Sequence, residues 1–196
     1  MTAKLPSRNL RDVTDHERLV SMLASRSARR GAFTLSSGRI SSVYIDARLT
    51  TMSPDGLATV GPLALATLRN AGLAPDSVGG LTLGADPVAY ALAYASALAG
   101  TPIRAFTVRK EPKTHGTSQL IEGPFQTGDR VVVVEDVITT GGSAQRAVAA
   151  VRGAGGVLLG IVAVVDREEG GRELLEREGV PVLALTTASE VMARVP

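Results

Sequence analysis

Two adjacent carboxylates, Glu135 and Asp136, follow the four β-branched residues Val131 to Val134 and precede Val137, Ile138, Thr139, Thr140, Gly141, Gly142 and Ser143. Four valines in a row predict a strand buried on both faces. The carboxylates then stand at its carboxyl end, where open α/β sheets bind ligands. Charged residues also end strands at surfaces with no other role, but adjacent like charges at this place favour a binding function. The Thr, Gly and Ser residues open a helix and bring hydroxyls and unobstructed backbone N–H groups to its N-terminus, which suits a phosphate. The paired carboxylates offer acceptors for sugar hydroxyls or a hydrated cation, so the chemistry implied is that of a phosphorylated sugar. The lysine of GxxxxGK[ST] is missing, which argues against an ATPase or kinase of the P-loop kind.

A second cluster lies upstream. Arg109, Lys110, Lys113 and His115 fall within seven residues of one another, at the start of a stretch of roughly twenty residues between Val108 and Arg130 without helical or strand period. Most charge runs are solvated loops. A mobile basic loop beside a phosphate cradle would also close over a polyphosphate and neutralise a departing pyrophosphate. The other histidine, His16, falls on the first predicted helix, where a solvent-facing position is expected. Further on, Arg167 follows the next apolar strand. It reads either as a surface residue paired with Glu168 or Glu169, or as a guanidinium facing the same crevice to hold a carboxylate bidentately.

These groups need a scaffold. A helix is predicted over 15–28, short strands over 33–35 and 43–45, and a helix from Ser53-Pro54 to about Asn70, which Gly72 ends. Strands at 78–83, 103–108, 130–134, 157–165 and 182–185 then alternate with helices at 87–98, 143–152 and 172–178, which implies parallel strands with right-handed crossovers. The 196 residues are 44% hydrophobic with 21 glycines and 3% aromatics, so the core of this α/β domain is built from Ala, Val and Leu, and base stacking by aromatics is poorly supplied. A net charge of +2 gives no basic face for nucleic acid. The absence of cysteine excludes disulfides, thiolate zinc sites and a thiol nucleophile. No apolar signal core and no run long enough to span a bilayer are found, so the expected setting is cytoplasmic, with no membrane partner.

Val131 to Ser143 resembles the phosphoribosyl diphosphate signature of type I phosphoribosyltransferases. The run RKEPKTHG, with FTLSSGRISSVYID (33–46) and DREEGG, resembles the orotate phosphoribosyltransferase family over about 33–171. The resemblance implies one domain over 1–196 with a central parallel sheet flanked by helices. A small hood of helix and short strands would come from about 1–50 and 180–196. It implies transfer of the phosphoribosyl group to N1 of orotate, with Mg²⁺ and with a homodimer whose basic loop reaches the neighbour's site. Glu135 and Asp136 would meet the ribose hydroxyls, and Thr139 to Ser143 the 5-phosphate. Arg109, Lys110, Lys113 and His115 would bind the pyrophosphate, with Lys113, His115 and Asp136 as the catalytic set; Thr139 and Arg167 would meet orotate. Two lysines that some relatives carry are absent, one at Ser36 and one in the run 82–90, where backbone N–H groups of Gly84 to Asp86 would take over the pyrophosphate contacts.

Overall fold

The computed structural model describes residues 14–34, 40–111 and 120–195. Helix α1 (Asp15–Met22) begins at Thr14, whose hydroxyl accepts from Glu17 N while the Glu17 carboxylate accepts from Thr14 N, a reciprocal capping box. The predicted helix over 15–28 ends early. Its last turn, Leu23–Ser27, is π-helical, and the chain is already a strand from Ala28. The wider turn keeps Leu23 and Ala24 buried and delivers Ser27 to a buried hydroxyl contact of 2.8 Å with Thr50. Strands β1 (Ala28–Thr34) and β2 (Ile40–Ile45) form an antiparallel hairpin. Its first half carries the exposed Arg29 and Arg30, which concealed the strand from a reading based on apolar alternation.

Helices α2 (Arg48–Thr51) and α3 (Pro54–Asn70) lead to β3 (Ser77–Leu81), α4 (Ala85–Leu98) and β4 (Arg104–Val108). Then come β5 (Ile121–Glu122), β6 (Arg130–Ile138), α5 (Gly142–Gly153), β7 (Val157–Asp166), α6 (Gly171–Glu176), β8 (Val182–Thr187) and α7 (Ala188–Met192). The main sheet has the order β5-β4-β3-β6-β7-β8. Its strands are parallel except for β5, a two-residue antiparallel edge inside the stretch read as lacking any period. Helices α2 and α7, of four and five residues, went unseen because they are too short to show a period.

Strand alternation divides the core. Val132, Val134, Val162 and Val164 face α1, α3 and α4, while Val131, Val133, Ile161 and Ala163 face α5 and α6. The hairpin and α1 are tied to α7 and the residues after it: Arg30 Nη2 donates to the Met192 carbonyl, and Arg194 Nη1 to the Glu17 carbonyl and the Ser21 hydroxyl of α1.

Candidate active site

From β3 the chain winds outward to β4, and from β6 it winds the other way to β7 and β8. The switch point therefore lies between β3 and β6, where α/β sheets open a crevice at the strands' carboxyl ends. The pairing confirms the opening: β3 and β6 are in register only from Ser77↔Val131 to Gly79↔Val133, whereas β6 stays paired with β7 through Ile138↔Asp166. Glu135 and Asp136 thus belong to the strand itself rather than following it, as had been expected, because β7 continues beside them after β3 has turned away.

Glu135 is buried, and its Oε2 has no hydrogen-bond partner. Burial first, and the neighbouring Asp136 carboxylate second, push its pKa well above the ordinary carboxyl value. Asp136 lies against the turn between β3 and α4: a Cβ on Gly84 would fall 2.3 Å from Asp136 Oδ1. Only glycine admits that approach. Helix α4 starts from Gly84 and α5 from Gly141, and neither has a side-chain cap. Gly141 has φ +82°, a left-handed backbone that favours glycine. Thr140, Gly142 and Ser143 around it are exposed. The first-turn N–H groups of α5 are thus presented to the crevice with no acidic side chain beside them.

The β3–α4 turn, 82–84, is fixed by a residue that the sequence reading passed over as a ligand support. Both oxygens of the buried Asp86 carboxylate accept hydroxyls, Thr82 Oγ1 at 2.7 Å and Thr107 Oγ1 at 2.8 Å. The Tyr90 hydroxyl meets Thr107 Oγ1 at 2.8 Å. An Asp-Pro pair in a helix's first turn is the signal that would have pointed to it. Beside this turn, a cavity of about 510 Å³ is lined by Thr82, Thr107, Arg109, Lys110, Glu111 and Glu122. Arg109 Nη1 stands 3.5 Å from Glu122 Oε1, and Arg146 on α5 donates to the Lys110 carbonyl. Lys113, His115 and Ser36 lie outside the described residues.

On the far side of β6, the segment 166–171 packs against the loop 139–141. Arg167 N donates to the Ile138 carbonyl at 2.9 Å, and a Cβ on Gly171 would fall 2.4 Å from the Thr139 carbonyl. The Arg167 side chain is not at the surface. It is 5% exposed, with Nη2 donating to Glu169 Oε1 at 2.6 Å and to the Val43 carbonyl of the hairpin at 3.2 Å. The pairing with Glu169 expected of Arg167 is present, but at a buried guanidinium rather than a surface one, and its backbone is bonded to the strand end that leads to Thr139. His16, expected to face solvent, is 39% exposed and stands 3.3 Å from Glu190.

The structure therefore brings together Glu135, Asp136, Thr139 to Ser143 and the turn 82–86, with Arg109 and Lys110 along one side and Arg167 on the other. Comparison with known proteins gives the family. The phosphoribosyl transferase domain matches residues 52–179. The orotate phosphoribosyltransferase of Aquifex aeolicus (strain VF5) is 46% identical over 181 residues, 91% of this chain and 98% of the relative. The orotate phosphoribosyltransferase of Mycobacterium tuberculosis H37Rv, solved with Fe(III) dicitrate, superposes with a TM-score of 0.80 at 43% identity, covering 90% of this chain and 98% of its own. The same protein solved with 5-phospho-alpha-D-ribosyl 1-diphosphate gives 0.76 at 41%, with the same coverage. With a domain match over most of its length, these relatives and a strand-end crevice of the expected build, the chain belongs to the orotate phosphoribosyltransferase family of type I phosphoribosyltransferases.

Proposed function

We propose that this chain transfers the phosphoribosyl group of phosphoribosyl diphosphate to N1 of orotate, releasing pyrophosphate and forming orotidine 5-monophosphate. The ring nitrogen supplies the electron pair for the new bond to C1 as the bond from C1 to the diphosphate oxygen breaks, and the proton on N1 is released to solvent or to the departing pyrophosphate. The observation that carries the reading is the buried, unpartnered Glu135 oxygen set between two helix starts without side-chain caps. A sugar hydroxyl satisfies that oxygen, and the two helix starts receive the phosphates at either end of the same ligand.

In this reading Glu135 and Asp136 hold the ribose hydroxyls, and Thr139, Thr140, Gly141, Gly142 and Ser143 the 5-phosphate, with Val137 and Ile138 placing that loop. The pyrophosphate lies along the turn 82–86, Arg109 and Lys110, and Lys113 and His115 complete its site, His115 as a hydrogen-bond or proton donor. Thr139 and Arg167 take the base. Catalysis is then mostly positioning and charge neutralisation, as an oxocarbenium-like ribose parts from an anionic leaving group.

The donor set fits a divalent cation that arrives with the diphosphate. Glu135 offers an unsatisfied oxygen and Asp136 adjoins it, while among the described residues no three His, Asp or Glu side chains converge into a metal cage of their own. Glu135 and Asp136 are the residues that would hold Mg²⁺ in company with ligand oxygens. When bound, Mg²⁺ supplies charge that offsets the developing pyrophosphate anion. A homodimer with the basic loop acting on the neighbour's site, in the cytoplasm, belongs to the same proposal. Among the described residues no helix is long and apolar enough to cross a membrane.

The test is loss of orotate's ultraviolet absorbance on adding the protein, phosphoribosyl diphosphate and Mg²⁺, with uracil, hypoxanthine and adenine as competing acceptors. Mg²⁺-dependent loss with orotate alone is expected; turnover of another base instead would remove Arg167 from its role. Lys113→Ala should slow turnover about a hundredfold, by analogy with losing one donor to a developing anion. Mixing Lys113→Ala with Asp136→Asn subunits should restore activity, and no recovery after proven subunit exchange would refute the shared site.

A further inference from the structure

The buried guanidinium of Arg167 already holds a carboxylate of its own chain. Glu169 Oε1 lies 2.6 Å from Arg167 Nη2, and the Glu169 side chain is 19% exposed against 5% for Arg167. The residues on either side of Glu169 are committed elsewhere. Glu168 has φ +58°, its N–H donates to Asp166 Oδ1, and its carboxylate accepts from the N–H and hydroxyl of Ser189 at the start of α7. After Glu169 the chain passes Gly170, with φ +88°, into Gly171, which is wedged against the Thr139 carbonyl. The backbone of 166–171 is therefore pinned at both ends, and the Glu169 side chain reaches from it towards both the guanidinium and solvent.

We propose that Glu169 is an internal competitor for the base's carboxylate: it neutralises Arg167 in the ligand-free protein and is displaced when orotate binds. This rests on the assignment of Arg167 to orotate. A buried cation without a counter-ion is costly, so the resting site needs one, and exchanging one carboxylate for another keeps the buried charge balanced throughout. A base without a carboxylate has nothing to exchange. To use the pocket it must either leave Glu169 on the guanidinium or break that pair with no replacement, whereas orotate puts its own carboxylate where that of Glu169 was. Glu169 is thus a positioning residue that sets the affinity for orotate by acting through Arg167.

A residue that merely held Arg167 in place would weaken orotate binding when altered; a competitor, when altered, strengthens it. For Glu169→Gln, which keeps the shape and loses the charge, the KM for orotate should fall about fivefold. The KM for phosphoribosyl diphosphate should stay within twofold, and the preference for orotate over uracil should not narrow. Glu169→Ala serves as a second variant should the glutamine refill the contact, and is expected to lower the orotate KM as well. An orotate KM that rises or stays unchanged in both variants overturns the proposal. Arg167→Gln separates this from the site assignment: a large rise in orotate KM supports Arg167 as the base's partner, whereas no rise defeats that assignment and the exchange with it.

Discussion

Helices α3 and α5 begin in opposite ways. At the start of α3, Ser53 Oγ accepts from Gly56 N at 3.2 Å, and the guanidinium of Arg26 grips Asp55 in the first turn and holds its carboxyl well below the usual range. At α5 there is no side-chain cap and no first-turn carboxylate, and the chain enters through a left-handed glycine between exposed Thr140 and Gly142. A helix start that serves only stability satisfies its own N–H groups. One that serves binding leaves them for the ligand and depends on its surroundings to hold the loop. Here those surroundings are the turn 82–86 on one side and the segment 166–171 on the other.

The most damaging way to break this contrast is at Gly141. Its φ of +82° strains any other residue, and a Cβ would fall 3.0 Å from the Gly171 carbonyl and 3.1 Å from Leu175 Cγ, so Gly141→Ala must move the loop. The expected loss in kcat/KM for phosphoribosyl diphosphate is at least about a hundredfold, the scale of one misplaced anion donor. A variant within a few-fold of the parent would show that the loop does not carry the phosphate. A smaller effect is expected one step away. Asp86→Asn spoils the acceptance of the Thr82 and Thr107 hydroxyls that fix the β3–α4 turn, and should lower the same constant about tenfold, or about 1.4 kcal/mol. The check is that orotate's KM stays put while that of phosphoribosyl diphosphate rises.

How far the sequence reveals these supports depends on the kind of atom that does the work. The strand at Val131 to Val134 and the Gly141-Gly142 entry were legible because β-branched runs and glycines have strong local preferences. What holds the turn at 82–84 was not, because the Asp86 carboxylate that accepts from Thr82 takes its other hydroxyl from Thr107, on a different strand. Arg167 was legible as an ambiguity: the sequence supplied Glu168 and Glu169 as equal partners, and only the fold commits Glu168 to Ser189 and leaves Glu169 for the guanidinium. The extension of β6 through Ile138 was hidden for a similar reason. It depends on where β3 stops, and a strand's own residues do not record its neighbour's length. Lys113 and His115 were legible as members of a basic run, and their place in the catalytic set comes from the resemblance.

The β6 side also stores a pH dependence opposite in sign to that of the α3 side, where the lowered pKa of Asp55 favours the fold above the ordinary carboxyl range. Because burial raises the pKa of Glu135, the folded protein holds its proton more tightly than the unfolded chain does. Its favourable contribution is complete below the ordinary carboxyl range and is lost as pH rises through the folded-state pKa. Glu135→Gln removes that loss, so in the absence of ligand the variant should melt above the parent at pH 8, by about 2–4 °C per kcal/mol recovered, and the gap should close towards pH 4.5. Its activity should fall at every pH. Equal melting at pH 8 would mean that the unfilled carboxylate does not weigh on the fold.

The smallest effect belongs to the capped helix and sharpens the comparison by its lack of consequence for binding. Ser53→Ala deletes the acceptor for Gly56 N and a contact of Arg26 Nη1 at 3.0 Å, but leaves the paired Arg26 and Asp55 side chains intact. The cost should be about 1 kcal/mol, a fall of roughly 2–4 °C in Tm for a chain of this size. Neither substrate's KM should change, since α3 packs against α1 and α4 by its apolar face and its first turn is bonded to Thr50 and Arg26 rather than to a group of the β3–β6 crevice. If Ser53→Ala raised the KM for phosphoribosyl diphosphate, the start of α3 would be coupled to the crevice after all. The division between a helix that caps itself and one that waits for its ligand would then fail.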